Sequence, residues 1–343
     1  MLPRGGLKLN EREVLEEAFN VYFEHEEGEV KRFFVIPKYG IYDERTQIVL
    51  AKLSEKYDVS VKMLHGEIVV ELKPHKENYL INIILLALTF LSTTFVGSFY
   101  LGEFDLIQGV MFSIAILFVL GSHEMGHYFT SRRFGVRTSL PYFIPFPTII
   151  GTLGAIIKHR GAIPSRKALL AIGAAGPLAG IVASVIVAYI GLKFFEVSIP
   201  PEEAEIFIGV PPLFYAVMSA VNYSGNAIHP VAFAGWVGMF VTSLNLIPVG
   251  QLDGGHIMRA LIGEKADAVS KIVPFILIVL GTFFGSIWFF WGIITLFFGM
   301  QKHPKPIDDS PLPFNWKMLG VITFAIGAAC FTPTPFLIPK NLK

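Results

Sequence analysis

Cysteine and charge are both scarce in this 343-residue sequence. The single cysteine, Cys330, cannot close an intramolecular disulfide, and zinc sites built from four cysteines are excluded. It sits in an apolar run, where packing is its expected role. Only 16% of the residues are charged and 53% are hydrophobic. The mean hydropathy of +0.57 is unusual for a soluble domain of this size. A net charge of +1 offers no basic surface, so nucleic acid is not an expected partner. The first ten residues lack an apolar core, and no cleavable signal peptide is expected there.

The scarcity of charge is uneven. Residues 1–77 hold 27 of the 55 charged side chains, and the remaining 266 residues share 28. That asymmetry predicts a small soluble domain, residues 1–78, followed by a membrane domain, residues 79–339. The first reads as α+β in the order α-β-β-α-β-β. Strands are expected at 19–24, 30–36, 59–64 and 68–72, with turns at Glu27-Gly28 and His65-Gly66, and helices at 11–18 and 42–57. No catalytic constellation is visible in it.

Long apolar runs follow. A bilayer core of ~30 Å takes roughly 20 apolar residues of helix. Runs at 80–101, 106–129, 168–192, 230–248 and 317–338 qualify. The run 272–300 is too long for one comfortable span and is divided near Gly285-Ser286. The fold class expected is therefore a multi-span α-helical membrane protein of about seven spans with a small N-terminal α+β soluble domain. Lys and Arg crowd the segments 131–167, 254–271 and 301–317, whereas the opposite loops carry only Lys193 before Lys340 and Lys343 in the tail. The bias of positive charge toward the cytoplasm puts the N-terminus inside.

His123-Glu124-Met125-Gly126-His127 closes the second run. On a helix, positions i and i+4 share a face, so both imidazoles can reach one Zn²⁺ while Glu124 approaches a metal-bound water as general base. Zinc in such a site lowers the pKa of that water to about 7. An acid at the centre of a membrane helix costs ~2.5–3.5 kcal/mol on insertion scales, and a metal accounts for it more readily than a solvated helix face does. A third ligand should come from another span at the same depth. Asp253, in the stretch Asn245-Leu246-Ile247-Pro248-Val249-Gly250-Gln251-Leu252-Asp253-Gly254-Gly255-His256, is the stray carboxylate available. Its prolines and glycines predict broken helix, which is tolerated at membrane depth where it lines a cavity. A helix-capping aspartate at the membrane edge is the other reading.

The pairing of His123–His127 with Asn245-Leu246-Ile247-Pro248 and Leu252-Asp253-Gly254 resembles the site-2 protease family of intramembrane zinc metalloproteases. The resemblance covers about 80–300. It implies one zinc per chain held by His123, His127 and Asp253, with Glu124 as the base and Asn245 beside the substrate. It implies transmembrane-helix proteins as substrates, cleaved within the lipid bilayer; the Lys and Arg distribution puts the expected active site toward the cytoplasmic side. The stretch Val249-Gly250-Gln251 departs from the common spacing before Leu-Asp-Gly and changes the expected loop shape. The segment 193–228 is too short for a PDZ domain and the part after Met300 too short for paired CBS modules. The branch most similar is the archaeal and chloroplast-related one with an N-terminal soluble domain.

Other features are weaker. Ala174 to Gly180 is rich in small residues and predicts close helix packing, with the zinc helix as a candidate neighbour. His256 could orient a ligand, although a helix-start histidine accounts for it as well; His159, His229 and His303 read as ordinary interface residues. Competing functions are a membrane transporter or metal-handling protein and an inactive relative that binds membrane segments. No inverted repeat is evident, and the motif residues are intact. Oligomeric state leaves no signal. A substrate helix must unwind to be cut, and its freed backbone groups then need partners. Within a possible membrane-associated hairpin region at 140–164, Thr152, Leu153, Gly154, Ala155 and Ile156 are expected to form a strand edge that holds the unwound substrate. That strand is expected to pair with the run to Ile163 through a turn near Lys158-His159-Arg160.

Overall fold

The computed structural model describes residues 10–41, 43–54, 56–64, 66–74, 79–160, 163–197, 207–299 and 306–337. The first nine residues, His65, Lys302, His303, Lys305, Lys340 and Lys343 lie outside them. So do residues 75–78, across which the expected domain boundary is drawn.

The N-terminal part runs α1 (Glu11–Glu16), β1 (Phe19–Glu27), β2 (Val30–Pro37), α2 (Glu44–Ser54), β3 (Tyr57–Leu64) and β4 (Glu67–Pro74). The strands form one antiparallel sheet in the order β1-β2-β4-β3. Two-residue periodicity places Phe33, Val35, Val70 and Leu72 on the face covered by Leu15 of α1 and by Val49 and Leu53 of α2. Left-handed glycines make the turns, Gly28 at φ +62° and Gly66 at φ +86°.

The rest is mostly helix. Four helical runs are long and apolar enough to cross a membrane. They are α3 (Leu80–Gly97), α4 (Leu106–Arg133), α5 (Arg166–Phe194) and a combined run of α8 (Asp253–Ile262) and α9 (Ala266–Phe284). Three further apolar helices are shorter: α7 (Pro230–Asn245), α10 (Ser286–Gly299) and α11 (Phe314–Ala329). Sixteen residues of α-helix span only about 24 Å. The shortness of α7 goes with its setting, because nearly all of it is buried between α4 and α5 rather than facing outward. The expected division at Gly285 is present: its φ of +109° ends α9, and α10 folds back on it. The apolar stretch before α7 forms α6 (Pro212–Ala220), one short helix among small strand pairs.

Helix starts follow side-chain chemistry. The Asp105 carboxylate accepts from the Ile107 and Gln108 N–H groups and begins α4. The Ser165 hydroxyl accepts from Ala168 N–H and begins α5. Between these helices lie β5 (Arg137–Thr138), β6 (Tyr142–Pro145), β7 (Thr152–Ile156) and β8 (His159–Arg160). The predicted strand exists, but its pairing differs from the expectation. β7 pairs antiparallel with the preceding β6, while β8 pairs with β5. The reason is the turn: Gly151, at φ +75°, lets the chain reverse between Phe146 and Thr152, whereas Lys158 N–H is held by Ser139 Oγ and leads into β8. The register slips by one residue between Phe143 and Pro145, where Gly154 takes φ +97°, a bulge that bends β7. Helix α3 anchors this hairpin. Asn82 donates to the Leu140 and Pro141 carbonyls at 3.1 and 2.9 Å, and Ser92 donates to Gly151 O at 2.6 Å.

Candidate metal centre

The two histidines lie one turn apart on α4, both buried. The neighbouring helix α5 permits this only because it presents glycine. A Cβ at Gly176 would lie 2.0 Å from His127 Nε2, and one at Gly180 would lie 3.0 Å from His123 Nδ1. The small-residue run expected to pack on the zinc helix therefore forms the wall of the site. From the other side, Gly126 of α4 approaches the Ala175 carbonyl, where a Cβ would come within 2.5 Å.

Asp253 reaches the same point from a broken stretch. Helix α7 stops at Asn245, Gly250 turns the chain at φ +49°, and α8 begins at Asp253 itself. Gly254 and Gly255 allow α8 to seat directly on the backbone of 246–250, since a Cβ at either would lie 2.2–2.3 Å from a carbonyl oxygen there. The first residue of α8 is thereby aimed between the histidines.

Three ligand atoms converge. His123 Nε2 is 3.1 Å from Asp253 Oδ2, His127 Nε2 is 3.2 Å from Asp253 Oδ1, and the two Nε2 atoms are 3.2 Å apart. Atoms about 2.0–2.1 Å from a tetrahedral zinc are separated by roughly 3.3–3.4 Å. The spacing and the donor set, two imidazoles and one carboxylate, therefore fit such an ion closely. Tautomer supports the fit. His127 Nδ1 donates to the Ile172 carbonyl at 2.8 Å, which leaves the Nε2 lone pair facing the cluster. His123, His127 and Asp253 are thus close enough to bind a metal ion.

Glu124 is buried next to these three side chains. Ile157, the residue just after β7, lies close to its carboxylate. The second edge of β7 has no strand partner among the described residues, and Leu153 and Ile156 are more than half or half exposed there. Thr152 is fully buried, its hydroxyl donating to Ile144 O at 2.8 Å. Asn245 lies half-buried at the end of α7, ahead of the stretch that carries Asp253. His256 packs by its Cβ against Gly173 of α5. The group that sequence reasoning missed, the Ile172 carbonyl, is a backbone atom, for which side-chain identity carries no signal.

The sequence model of peptidase family M50 matches residues 111–284, which include every ligand and Glu124. The chain is 32% identical over 218 residues to the probable zinc metalloprotease EGY1, chloroplastic, of Arabidopsis thaliana, covering 59% of this chain and 38% of that one. It is 27% identical over 249 residues to the probable zinc metalloprotease EGY2, chloroplastic, of the same plant, covering 68% and 43%. The probable zinc metallopeptidase EGY3, chloroplastic, also of Arabidopsis thaliana, is 28% identical over 236 residues, covering 63% and 40%. The chain spans about two fifths of the length of these curated relatives. No solved structure matches. With the match spanning half of the chain and both halves of the ligand set, this protein belongs to peptidase family M50, the site-2 proteases that its paired motifs resemble.

Proposed function

We propose that the chain is a zinc metalloendopeptidase that hydrolyses peptide bonds of transmembrane protein segments within the bilayer. The observation that carries the reading is the convergence of His123, His127 and Asp253 beside Glu124 on helices apolar enough to cross a membrane. The relatives' printed names specify zinc, and His123, His127 and Asp253 would hold it here. When bound, zinc supplies a Lewis acid that polarises a carbonyl and acidifies water. Glu124 does the proton work. It takes a proton from the attacking water as the C–O bond forms, and gives it to the amide nitrogen as the C–N bond breaks. The burial of Glu124 keeps competing bulk water away.

The exposed edge of β7 is the substrate rest. An unwound segment added there has its backbone N–H and C=O groups paired, which removes the several-kcal/mol penalty that each would carry in lipid. The nearness of Glu124 to Ile157 supports this reading, because it sets the base at the end of that edge. Asn245 offers a neutral amide to a substrate carbonyl. The reading has about seven spans, counting the shorter apolar helices α7, α10 and α11 with the longer four, with the N-terminal sheet in the cytoplasm and the metal site toward that face. The Lys and Arg distribution supports this orientation.

The test is cleavage of a single-span substrate by zinc-loaded protein in sealed vesicles of known sidedness. Glu124→Gln should keep its zinc and lose at least about 100-fold in rate. An impermeant chelator should stop the wild-type reaction from the cytoplasmic face only. Normal cleavage by Glu124→Gln would sink the mechanism, and inhibition from the opposite face would overturn the orientation.

A further inference from the structure

Asp253 is the first residue of a short helix with a turn at each end. Before α8 the chain bends at Gly250, φ +49°, and after it at Gly263, φ +67°. His123 and His127 ride on 28 residues of α4, so they are held along a long rigid rod. The third ligand has no such rod. Its position depends on how ten residues of α8 are seated.

The N-terminal end of α8 seats on the 246–250 backbone through Gly254 and Gly255. Its far end is held by charge. Arg259, two turns beyond Asp253, is buried, with a side chain only 4% exposed. Its guanidinium makes a two-pronged contact with Asp309, Nη2 to Oδ2 at 3.0 Å and Nη1 to Oδ1 at 3.3 Å. The same carboxylate faces a second cation: Arg166 Nε lies 3.1 Å from Asp309 Oδ1, its side chain 11% exposed. Arg166 is the first residue of α5, the helix whose Gly176 and Gly180 cup the two histidines. One carboxylate thus bridges the helix that supplies the third ligand and the helix that walls the site. Gly263 belongs to the same arrangement, since a Cβ there would lie 2.4 Å from Arg166 Nη2.

Asp309 is itself fixed by backbone pairing. Ile307 N–H donates to Ile163 O at 2.9 Å, Asp308 N–H to Pro164 O at 3.1 Å, and Arg166 N–H to Asp308 O at 3.1 Å. This parallel pairing of Ser165 with Asp308 lays the segment before α11 across the start of α5. It lies beyond residue 284, outside the stretch matched by the family.

Resting on the metal reading above, we propose that Asp309 is a positioning residue. Through Arg259 it holds α8 at the angle that delivers Asp253 to the histidine pair, and through Arg166 it locks α8 to α5. Two guanidiniums with little access to water need a carboxylate between them. Without it α8 can swing about Gly250 and Gly263, and the ligand it carries moves with it.

The experiment measures zinc retention by the full chain in detergent, as the rate at which an excess of chelator removes the ion, with helicity followed by circular dichroism. Asp309→Asn should keep the fold and lose zinc at least about 10-fold faster, the scale on which groups that orient metal ligands act. Arg259→Lys, which keeps the charge but loses the fork, should fall between it and the wild type. Asp309→Glu should restore much of the retention. Asp308→Asn is the control: its neighbouring, exposed carboxylate accepts from Ser310 N–H and reaches neither Arg259 nor Arg166, and retention should be unchanged. If Asp309→Asn does not fold, Arg259→Lys decides. Retention equal to wild type in a folded Asp309→Asn or Arg259→Lys protein overturns the proposal alone. A wild-type chain that takes up no zinc overturns the metal reading and this one with it.

Discussion

The N-terminal sheet and the helical part differ in how they bury polar groups and in how they use glycine. In the sheet, the buried carboxylate of Glu71 lies 3.0 Å from each of Lys62, Lys73 and Arg32, whose own side chains reach water. In the helical part, buried hydroxyls mostly turn back onto their own helix, as Thr93 does to Thr89 O and Ser184 to Gly180 O. Among the described residues, buried charge there is confined to the cluster of His123, Glu124, His127 and Asp253 and to the clasp around Asp309. Glycine differs too. Gly28 and Gly66 have positive φ and open space around the missing Cβ, and the helical part has such turn glycines as well, Gly154 and Gly285 among them. It adds a second kind: Gly176, Gly191 and Gly235 stand where a Cβ would meet a neighbour within 2.0–2.6 Å. The first kind serves the turn, the second close contact between apolar helices.

Substituting one glycine of each kind breaks the comparison most sharply. Gly176→Ala places a methyl group 2.0 Å from His127 Nε2, so α5 or the imidazole must shift. Zinc affinity should fall by at least about 10-fold, and cleavage with it. Gly28→Ala meets nothing and should cost about 1 kcal/mol of sheet stability through its left-handed φ, with zinc unaffected. Equal zinc affinity in Gly176→Ala and wild type would refute the assignment of Gly176 as a wall of the site.

A smaller effect is expected at β7, which sharpens the contrast between paired and unpaired strands. In the N-terminal sheet β2 and β4 are paired on both sides, whereas β7 has one partner, β6, among the described residues. Proline at Leu153 or at Ala155 removes one backbone donor. A lost hydrogen bond of ~0.5–1.5 kcal/mol corresponds to roughly 2–10-fold in rate, and the variant whose donor faces the substrate should show it with zinc retained. If both proline variants hold zinc and cleave at the wild-type rate, the edge is not the substrate rest.

The effect on cleavage is smallest at Glu71, where the contrast is one of acid stability. Lys73 first, then Lys62 and Arg32, hold its carboxyl down at about 2, below the 4.5 of an unperturbed glutamate. A depressed carboxylate pKa stabilises the fold above the unfolded value and loses that contribution as pH falls. The window runs from about 4.5 down to about 2. The loss is at most about 3 kcal/mol, and less because Lys62 and Lys73 are half-exposed. Hydrogen exchange of the β2 and β4 amides should show this acid sensitivity in wild type and a flatter profile in Glu71→Gln, with cleavage at neutral pH unchanged. An identical acid profile in both would remove Glu71 as the cause.

What the sequence determined by itself is what repeats along the chain or sits within one turn of helix. Two-residue alternation was enough for the four strands of the N-terminal sheet, and apolar run length for the long apolar helices α3, α4 and α5 and for the break at Gly285. His123, Glu124 and His127 were legible because i and i+4 share a helix face whatever surrounds it, and Asp253 because a carboxylate is rare in such surroundings. Tertiary structure alone decided the rest. β7 pairs with the strand before it because Gly151 turns the chain and α3 holds both ends of the hairpin. His127 meets the Ile172 carbonyl through a backbone atom that every residue possesses. Asp309 reaches Arg259 and Arg166 across 50 and 143 residues of chain. Such contacts follow from how helices pack, and no local pattern encodes them.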